Sequence, residues 1–596
     1  MKKRIIPIVF SAMLALSAIA CDSKTPNGGN DNPTATDIEY EMFDMSTVAF
    51  QDNHDNDLAK YNSNMYYLNE WKLGFQAPGV KGDFFPDMGD PTIVYDNGYY
   101  YAFGTRGATS FHCFRTKDFK EWERLADAFV PGGASWGKTN MWAPDIQKIG
   151  DKWYLYYTAG MIYSDGAEHC QIGVAIADNV YGPYVQFTGK NADGEEISLA
   201  QTPFTGLDRH TILDQTVFTD DDGQMYMYFS YDTKTGSDEH RELSKTQIVA
   251  EIWGVKMKDP VTWDLSTLTP LISPGYKKYS DDVRTIEWET WSPSFRGGMQ
   301  CCEGPYMIKQ NGKYYLTYCA NSFVDAEYAV GYAVADDPLG KGESGDYVKP
   351  NDTYLQNMIL GVPGAPGTYI SNHYKGFTRG TGHAAIFKTG AGDDYMFAYH
   401  AHFNREKWDD SKPPDNYRAL AVDYLYFDDN GAPYANGPTY SLQRTPSDIS
   451  GYTNLAGKAK FRIEGEHAEY LNDNYTNRAV NTAEVIKEAT FKAGTRSIEI
   501  TFDEPVTVAA INVYNSCDYE TMIDAITQID FGEGRGLVNA LFNRRYVKDE
   551  FVFPHSAFNI ELGKPLVTNR IVITITSGSD FALGEIEVMG KVNSAA

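Results

Sequence analysis

Residues 301–321, Cys-Cys-Glu-Gly-Pro-Tyr-Met-Ile-Lys-Gln-Asn-Gly-Lys-Tyr-Tyr-Leu-Thr-Tyr-Cys-Ala-Asn, predict a β-hairpin. The pair Asn311-Gly312 lies between two short runs rich in β-forming and aromatic residues, which is the strongest short-range signal for a hairpin turn. Glu303 stands beside Gly304-Pro305, where the strand that leads into this turn begins. A single carboxylate at that place is typical of a solvated turn residue, so its importance depends on whether the arrangement recurs.

The same pattern, a turn followed by an aromatic strand, occurs at four other places in the chain. These copies lie at residues 96–105, 149–158, 220–230 and 392–402. Hairpins that recur at intervals of roughly 50 to 90 residues are typical of a β-propeller, in which each blade repeats one antiparallel sheet around a central channel. The sequence therefore predicts an all-β protein with a five-bladed β-propeller.

An ionisable residue next to Pro, Gly or Gln precedes each of the five turns. These residues are Asp90, Asp145, Asp214, Glu303 and His383. Because the inner strands of a propeller run alongside its axis, we expect the five side chains to converge in one site. The alternative is five separate solvated turn residues, and the recurrence in register argues against it.

The composition limits the class of ligand. The chain has 596 residues, of which 42% are hydrophobic and 14% aromatic, so it can bury several cores, and aromatics at this level favour strands. A net charge of −28 argues against nucleic acid or an anionic membrane surface as the partner. These numbers favour a soluble exported protein with a neutral ligand, and we expect a monomer.

The N-terminus predicts export and lipidation. Basic residues 2–4 precede the apolar run Ile5–Ala20, the pattern of a secretory signal and too short for a comfortable membrane span. Ala18-Ile19-Ala20-Cys21 resembles a loose bacterial lipobox, which predicts a signal peptide at 1–21 with a lipidated Cys21. Ordinary signal cleavage beside an incidental cysteine is the alternative. Residues 22–40 have the composition of a flexible linker, and we expect an outer-membrane lipoprotein at the cell surface or in the periplasm, held to the membrane only by its lipid.

The rest of the chain divides by composition. Residues 41–82 are aromatic without a clear period and predict an extension packed on the propeller, which itself covers 83–447. Residues 448–596 contain short alternating strands, such as Ser497–Phe502, that predict a β-sandwich. The cysteines other than Cys21 have no metal-binding spacing, so we interpret them as packing thiols.

Acidic residues at the strand starts point to carboxylate chemistry. The chain lacks a G-x-S-x-G elbow, a phosphate-binding glycine loop and an H-E-x-x-H zinc motif. A pair of carboxylates can cleave a glycosidic bond, since a protonated one donates to the leaving oxygen and an ionised one activates water or attacks. A further acid nearby raises the pKa of the proton donor, because like charges disfavour each other's ionisation.

Three motifs in this order resemble glycoside hydrolase family 43 over roughly residues 83 to 446. They are Gly89-Asp90-Pro91, Trp142-Ala143-Pro144-Asp145 and Glu303-Gly304-Pro305. The resemblance implies a five-bladed propeller that inverts anomeric configuration, with Asp90 as general base, Asp145 as the residue that tunes the acid's pKa, and Glu303 as general acid. Inversion needs a water between base and sugar, which predicts carboxyl groups about 6.5–9.5 Å apart.

The same resemblance implies four further site residues. His383 matches an axial histidine often found near a bound calcium ion or water cluster; no cofactor is required, and a Ca²⁺ at this place is an expectation with a structural histidine as the alternative. Asp214 departs from the family's Asp-Pro, since Gln215 follows it, and either supports the hairpin or contacts substrate. Arg418 matches an arginine that reaches the substrate pocket, with a surface or inter-blade ion pair as the alternative. Trp142 is a sugar platform or a wedge between blades.

Residues 448–596 resemble a discoidin-type jelly roll of the family 32 carbohydrate-binding kind. Asn454-Leu455-Ala456 and the stretch 582–588 carry this likeness, and sugar binding and packing against the propeller remain open as its role. The resemblances together predict an exo-acting α-L-arabinofuranosidase on arabinose- or xylose-containing polysaccharide side chains. β-Xylosidase and endo-arabinanase are alternatives, and a non-catalytic surface glycan-binding lipoprotein is the rival from another class.

Overall fold

The computed structural model describes most of the chain. The described residues are 41–42, 64–69, 73–74, 78–79, 81–82, 85–106, 109–232, 248–291, 300–325, 327–341, 346–350, 357–361, 378–403, 418–439, 442–476, 488–516, 518–533, 535–541 and 557–593. The predicted signal peptide, Cys21 and the linker at 22–40 lie outside these ranges. Among the described residues, no helix is long and apolar enough to cross a membrane.

Short strands precede and flank the first blade. They are β1 (Glu41–Met42), β2 (Tyr66–Tyr67), β3 (Leu73–Gly74), β4 (Lys81–Gly82) and β5 (Phe85–Pro86). Blade 1 contains β6 (Gly89–Asp96), β7 (Tyr99–Thr105), β8 (His112–Thr116) and β9 (Trp122–Arg124), with β4 paired to its outer edge. The turn at Asn97-Gly98 joins β6 to β7, as the sequence predicts.

Four further antiparallel blades repeat this arrangement, and a short parallel pairing of residues 248–250 with 300–301 joins blades 3 and 4 into one sheet. Blade 2 contains β10 (Gly137–Ile149), β11 (Lys152–Ile162), β12 (Glu168–Ala177) and β13 (Val185–Gln186), and a small hairpin of β14 (Gly189–Lys190) and β15 (Glu196–Ile197) follows. Blade 3 contains β16 (Ile212–Thr219), β17 (Met225–Asp232), β18 (Ile248–Asp259) and β19 (Thr262–Ile272), and a 3-10 turn at Glu287–Thr290 follows. Blade 4 contains β20 (Gln300–Gln310), β21 (Lys313–Ala320), β22 (Ala329–Ala335) and β23 (Met358–Leu360), and blade 5 contains β24 (Thr378–Lys388), β25 (Tyr395–Phe403), β26 (Ala419–Phe427) and β27 (Pro433–Ala435). The predicted five-bladed propeller and the hairpin at 301–321 are confirmed.

Apolar side chains fill the gaps between neighbouring blades. Clusters of buried aromatic and aliphatic residues join blade 1 to 2, 2 to 3, 3 to 4 and 4 to 5. Another cluster, which includes Tyr100 of blade 1 and Leu420 of blade 5, closes the ring. Each fully buried large side chain contributes about 1.5–3 kcal/mol, so the alternating aromatic strands seen in the sequence supply both sheet and inter-blade packing.

The C-terminal residues supply eight of the nine strands of one sheet over a single apolar core, and β1 supplies the ninth. Its elements follow β28 (Gln443–Arg444) and the helix α1 (Ser447–Ser450). They are β29 (Thr453–Asn454), a 3-10 turn at Ala456–Lys458, β30 (Lys460–Ile463), a 3-10 turn at Ala468–Leu471, β31 (Ala489–Phe491), β32 (Gly494–Asn515), a 3-10 turn at Tyr519–Thr521, β33 (Ala525–Asp530), β34 (Gly536–Leu541), β35 (Ala557–Ser577) and β36 (Phe581–Val592). Strand β1 from the N-terminal extension pairs in parallel with β34, while β2 pairs with β28.

A buried polar network joins this C-terminal sheet to the propeller. Arg444 is 3% exposed and donates to Glu587 of the sheet (Nε–Oε1, 3.0 Å) and to Asp394 of blade 5 (3.1 Å). Tyr66 donates from its hydroxyl to Asn512 Oδ1 at 2.8 Å. Because a buried charge is costly without its partners, the propeller and the sheet depend on each other at this contact.

The cysteines that the structure describes are buried and unbridged. They are Cys113, Cys170, Cys301, Cys302 and Cys319. Burial raises the pKa of each thiol. These properties fit packing thiols rather than reactive ones.

Candidate active site

A β-bulge interrupts the start of each inner strand at an equivalent place. The register shifts fall between Gly89 and Thr92, Trp142 and Asp145, Leu213 and Thr216, Glu303 and Tyr306, and Gly382 and Ala385. The residue after the first member of each pair has a positive φ; these residues are Asp90 (47°), Ala143 (45°), Asp214 (58°), Gly304 (58°) and His383 (50°). Bulges re-aim side chains next to active sites, and positive φ at non-glycine residues costs about 1–3 kcal/mol and clusters at functional sites.

Side chains from three blades meet at this level. The His383 Nδ1 atom of blade 5 lies 3.3 Å from Asp90 Oδ1 of blade 1 and 3.8 Å from Asp214 Oδ2 of blade 3. Arg418, which directly precedes β26, donates from a terminal nitrogen to Asp90 Oδ1 at 2.6 Å. Asp90, Asp214, Glu303, His383 and Arg418 are called the axial site below.

Glu303 occupies the register position just before the positive-φ residue of blade 4. The Tyr328 hydroxyl donates to its Oε1 at 2.8 Å, and the Cys301 thiol lies 3.7 Å from its Oε2. Its neighbour Gly304 passes so close to the His383 ring that an added Cβ would lie 3.1 Å from Cγ. Glycine at 304 therefore allows the acid of blade 4 and the histidine of blade 5 to approach each other.

The electrostatics of the axial site give Asp90 and Glu303 different pKa values. Burial raises the pKa of Asp90, but Arg418 and His383 outweigh burial and hold that pKa well below the usual 3.8. Burial raises the pKa of Glu303 above 4.5, and the Asp90 charge adds to the increase, while Tyr328 and His383 oppose it. The pair thus consists of a carboxylate that stays ionised and a carboxyl group that holds its proton to higher pH.

The other two ionisable groups form the centre of the axial site. Burial, Glu303 and Asp90 raise the pKa of Asp214 to about 7, against the attraction of His383. Burial lowers the pKa of His383, but Asp90 and Asp214 raise it to about 9. An imidazolium between two aspartates keeps three acids compatible in one small volume.

The structure does not bring Asp145 into the axial site. Among the described residues, its carboxylate accepts hydrogen bonds from Gln147 Nε2 (2.9 Å), Val217 N–H (2.8 Å) and Thr216 Oγ1 (3.4 Å). Burial raises the pKa of Asp145 to about 6, these hydrogen bonds oppose the increase, and no described charged group contributes to the shift. Asp145 follows the positive-φ Ala143 by two residues and ties blade 2 to blade 3, so Asp214 is the third acid of the axial site instead.

A spacing rule in the sequence distinguishes Asp145 from the residues of the axial site. The positive-φ residue lies seven residues before the first residue of the turn in three blades. The pairs are Asp90 and Asn97, Ala143 and Gly150, and Gly304 and Asn311. Asp145 is therefore out of register with Asp90 on spacing alone. The Trp-Ala-Pro-Asp motif favours Asp145 by residue type, whereas the spacing places it two residues past the equivalent position.

Sequence reasoning also missed three residues around the axial site. Tyr328 and His400 are 1% and 0% exposed, and neither belongs to the three motifs that carry the family resemblance. Phe323 is 39% exposed, and its ring lies 5.0 Å from the Arg418 guanidinium, so it offers an apolar face at the edge of the site. Trp142, the predicted platform, is partly exposed in the register position that Glu303 has in blade 4.

The calcium ion expected near His383 has few protein ligands to draw on. Within the described ranges, no group of three or more His, Cys, Asp or Glu side chains is arranged to hold a metal ion. The His383 Nδ1 atom faces Asp90 instead. An ion at this place would have to be held largely by water, and it remains a prediction.

Parts of this chain are similar to known proteins. An extracellular endo-α-(1→5)-L-arabinanase of Thermotoga petrophila is 25% identical over 48% of this chain and 54% of its own length. An extracellular exo-α-(1→5)-L-arabinofuranosidase of Streptomyces chartreusis is 25% identical over 45% of this chain and 64% of its own. A solved thermostable family-43 glycoside hydrolase aligns with a TM-score of 0.45 at 24% identity, over 63% of this chain and 99% of that one.

The chain spans about half the length of the first of these curated relatives. The description "Glycosyl hydrolases family 43" matches residues 86–433, which are more than half of the chain and contain the whole axial site. The protein therefore belongs to glycosyl hydrolases family 43, a family of glycosidases.

Proposed function

We propose that this protein is an inverting glycoside hydrolase, with Asp90 as general base, Glu303 as general acid and Asp214 as the acid that tunes Glu303. The observation that supports these roles is that the surroundings lower the pKa of Asp90 and raise that of Glu303. Two carboxyl groups with separated pKa values mark the base and the acid of a glycosidase. The roles follow from the contacts of each group rather than from its motif.

The reaction uses both groups in one displacement. Ionised Asp90 takes a proton from a water, whose oxygen attacks the anomeric carbon, while protonated Glu303 gives its proton to the departing glycosidic oxygen. Arg418 and His383 keep Asp90 ionised, since each is positioned to stabilise its negative charge. The expected carboxyl separation of about 6.5–9.5 Å leaves room for that water.

The favoured substrate is an α-L-arabinofuranosyl unit on an arabinose- or xylose-containing polysaccharide, removed from the chain end. Two relatives named for arabinanase or arabinofuranosidase activity support the sugar. A xylosidase/arabinosidase of Humicola insolens, 30% identical over 33% of this chain, keeps β-xylosidase as an alternative, and the arabinanases keep endo action as another. Partly exposed Trp142 and exposed Phe323 are candidate sugar platforms.

The test is hydrolysis of three substrates by the wild type and Glu303→Gln. The substrates are an aryl α-L-arabinofuranoside, an aryl β-xyloside and linear arabinan, and ¹H NMR of the first product reports its anomer. We expect cleavage of the arabinofuranoside with inversion, and loss in Glu303→Gln on substrates with poor leaving groups. Retained configuration would refute the mechanism. Cleavage of the xyloside alone would identify xylose, not arabinose, as the sugar that the enzyme removes.

The rival is a non-catalytic glycan-binding lipoprotein. This rival would be favoured if the wild type hydrolysed none of the three substrates but still bound arabinan. Three acids gathered in one buried site argue for catalysis, because their mutual repulsion has to be offset by His383 and Arg418.

Export and anchoring complete the proposal. The extracellular labels of the Thermotoga petrophila and Streptomyces chartreusis relatives support export, and lipidation at Cys21 would hold the enzyme at the outer membrane. The discoidin-like resemblance of the C-terminal sheet supports a role in glycan binding, whereas its buried contacts with the propeller support a structural role. Radiolabelled palmitate incorporation, compared between wild type and Cys21→Ala, tests the anchor.

A further inference from the structure

We propose that Tyr328 and His400 form a positioning pair that holds the proton donor Glu303 in place relative to the base Asp90. The inference rests on the proposed roles of Glu303 and Asp90 and extends them to two residues that lie outside the motifs. Neither residue is placed to react itself. Their contacts link the two reacting carboxyl groups.

Each member of the pair holds one of the two acids. The Tyr328 hydroxyl donates to Glu303 Oε1 at 2.8 Å. The His400 Nδ1 atom accepts from the Asp90 backbone N–H at 3.2 Å and also lies 3.5 Å from Asp90 Oδ1. Accepting from an N–H requires an unprotonated Nδ1, so this contact favours the neutral His400 ring with its proton on Nε2.

The two rings are stacked against each other. Their centroids lie 5.5 Å apart with an interplanar angle of 11°, and both side chains are almost completely buried. The chain makes room for the stack at Gly382, where an added Cβ would lie 2.2 Å from the Tyr328 ring. A continuous path of contacts therefore runs from Glu303 through Tyr328 and His400 to Asp90, across blades 4, 5 and 1.

This arrangement also distinguishes the two oxygens of Glu303. Oε1 accepts from a phenol hydroxyl, whereas Oε2 faces the thiol of Cys301 at 3.7 Å, and a thiol is a weak donor. The proton on Glu303 is therefore favoured on Oε2. That oxygen becomes the one that donates to the glycosidic oxygen, while Tyr328 orients the carboxyl plane.

The consequence is a fixed acid-to-base geometry. An inverting reaction needs a water between base and sugar and the acid on the opposite side, so small displacements of either group slow the reaction. Loss of the Tyr328 hydroxyl frees Glu303 to rotate but leaves Asp90 held. The effect should be confined to the step that needs proton donation.

The experiment compares Tyr328→Phe with Tyr332→Phe, a matched control. Tyr332 is a buried tyrosine of β22 whose ring packs against Tyr315. The substrates are the 2,4-dinitrophenyl and methyl glycosides of whichever sugar the wild type cleaves. For Tyr328→Phe we expect kcat on the methyl glycoside to fall roughly 10- to 100-fold, the range of one hydrogen bond to the charge that Glu303 acquires as it gives up its proton, with KM unchanged. On the dinitrophenyl glycoside, whose leaving group needs no proton, we expect a change of less than about 3-fold.

Equal losses on both glycosides, or a loss matched by Tyr332→Phe, would overturn the positioning role. A second readout does not depend on activity: a crystal structure of Tyr328→Phe should show the Glu303 carboxyl turned away from its wild-type orientation, and an unmoved carboxyl would overturn the proposal. A wild type that cleaves no glycoside would refute the proposed function. The crystal structure would still decide whether Tyr328 positions Glu303.

Discussion

Arg418 is the residue whose removal tests the electrostatics of the axial site most directly. Its guanidinium lies 2.6 Å from Asp90 Oδ1, and the two side chains are only 15% and 11% exposed. Arg418→Met removes the charge and keeps much of the apolar stem. The ionised form of Asp90 should then become harder to reach.

The size of the effect follows from the geometry. Two unit charges with centres about 4 Å apart interact by about 4 kcal/mol at an effective dielectric constant of about 20. One pKa unit corresponds to about 1.4 kcal/mol, so complete loss of the interaction would raise the pKa of Asp90 by about 3. His383, whose Nδ1 lies 3.3 Å from the same oxygen, remains in place, and we therefore expect an increase of about 1 to 3.

The direction of the Asp90 pKa shift determines how kcat/KM depends on pH. The pKa of Asp90 is lowered in the folded protein, so the ionised base is present above that low pKa and is lost as pH falls through it. In the wild type, the acid limb of kcat/KM should lie below pH 3.8, and in Arg418→Met it should move upward. The assay is kcat/KM for an aryl arabinofuranoside from about pH 3 to about pH 9, a range that brackets the usual carboxyl and imidazole pKa values, with circular dichroism at each pH to confirm folding.

The matched control is Arg106→Met. Arg106 pairs with Asp87 at 3.1 Å, close in sequence to Asp90, but it is not among the causes of the Asp90 shift. The control should leave the acid limb unchanged. If Arg418→Met lowers kcat/KM at every pH without moving the acid limb, Arg418 acts on the substrate and the reasoning about Asp90 is refuted.

Three other predictions concern Asp214, Gly89 and the C-terminal sheet. Asp214→Asn should move the alkaline limb to lower pH, because Glu303 and Asp214 disfavour each other's ionisation, whereas Asp145→Asn should leave that limb in place; the opposite result in the pH profiles would restore the role assigned from sequence. In Gly89→Ala the new Cβ would lie 1.9 Å from Arg418 Cζ, so a smaller upward shift of the acid limb than in Arg418→Met is expected, and a wild-type profile would contradict it. Deletion of 448–596 removes Glu587, the partner of the buried Arg444, and should therefore give insoluble protein in an expression trial. A soluble fragment with full turnover of aryl glycosides would show that the C-terminal sheet is dispensable.

The repeat of turn and aromatic strand was sufficient to predict the propeller. Each hairpin is specified locally, because Asn-Gly and Asp-Gly turns match the twist of the flanking strands, and Asn311-Gly312 forms the predicted turn between β20 and β21. The acidic residues at the strand starts were also visible, and so was the family resemblance. Those features depend on residues close together in the chain.

The membership of the axial site was only partly predictable. Asp145 and Asp214 both precede hairpins, and their motifs favoured Asp145. The bulges and the positive φ angles decide between them, because Asp214 takes the positive-φ position of its strand, whereas Asp145 lies two residues past Ala143, which takes that position in blade 2. Asp145 consequently binds the Val217 N–H of the next blade, and Asp214 faces His383.

The sequence by itself determined the strands, the turns and the kinds of chemical group available, since these follow from local propensity and residue type. Only the tertiary structure decided which acids meet and which of them keeps a proton. The pKa values of Asp90 and Glu303 are set by burial together with Arg418 and His383, which are distant from them in the chain. Burial and Coulomb interactions depend on distance in space, and closing the ring of blades is what brings these residues together.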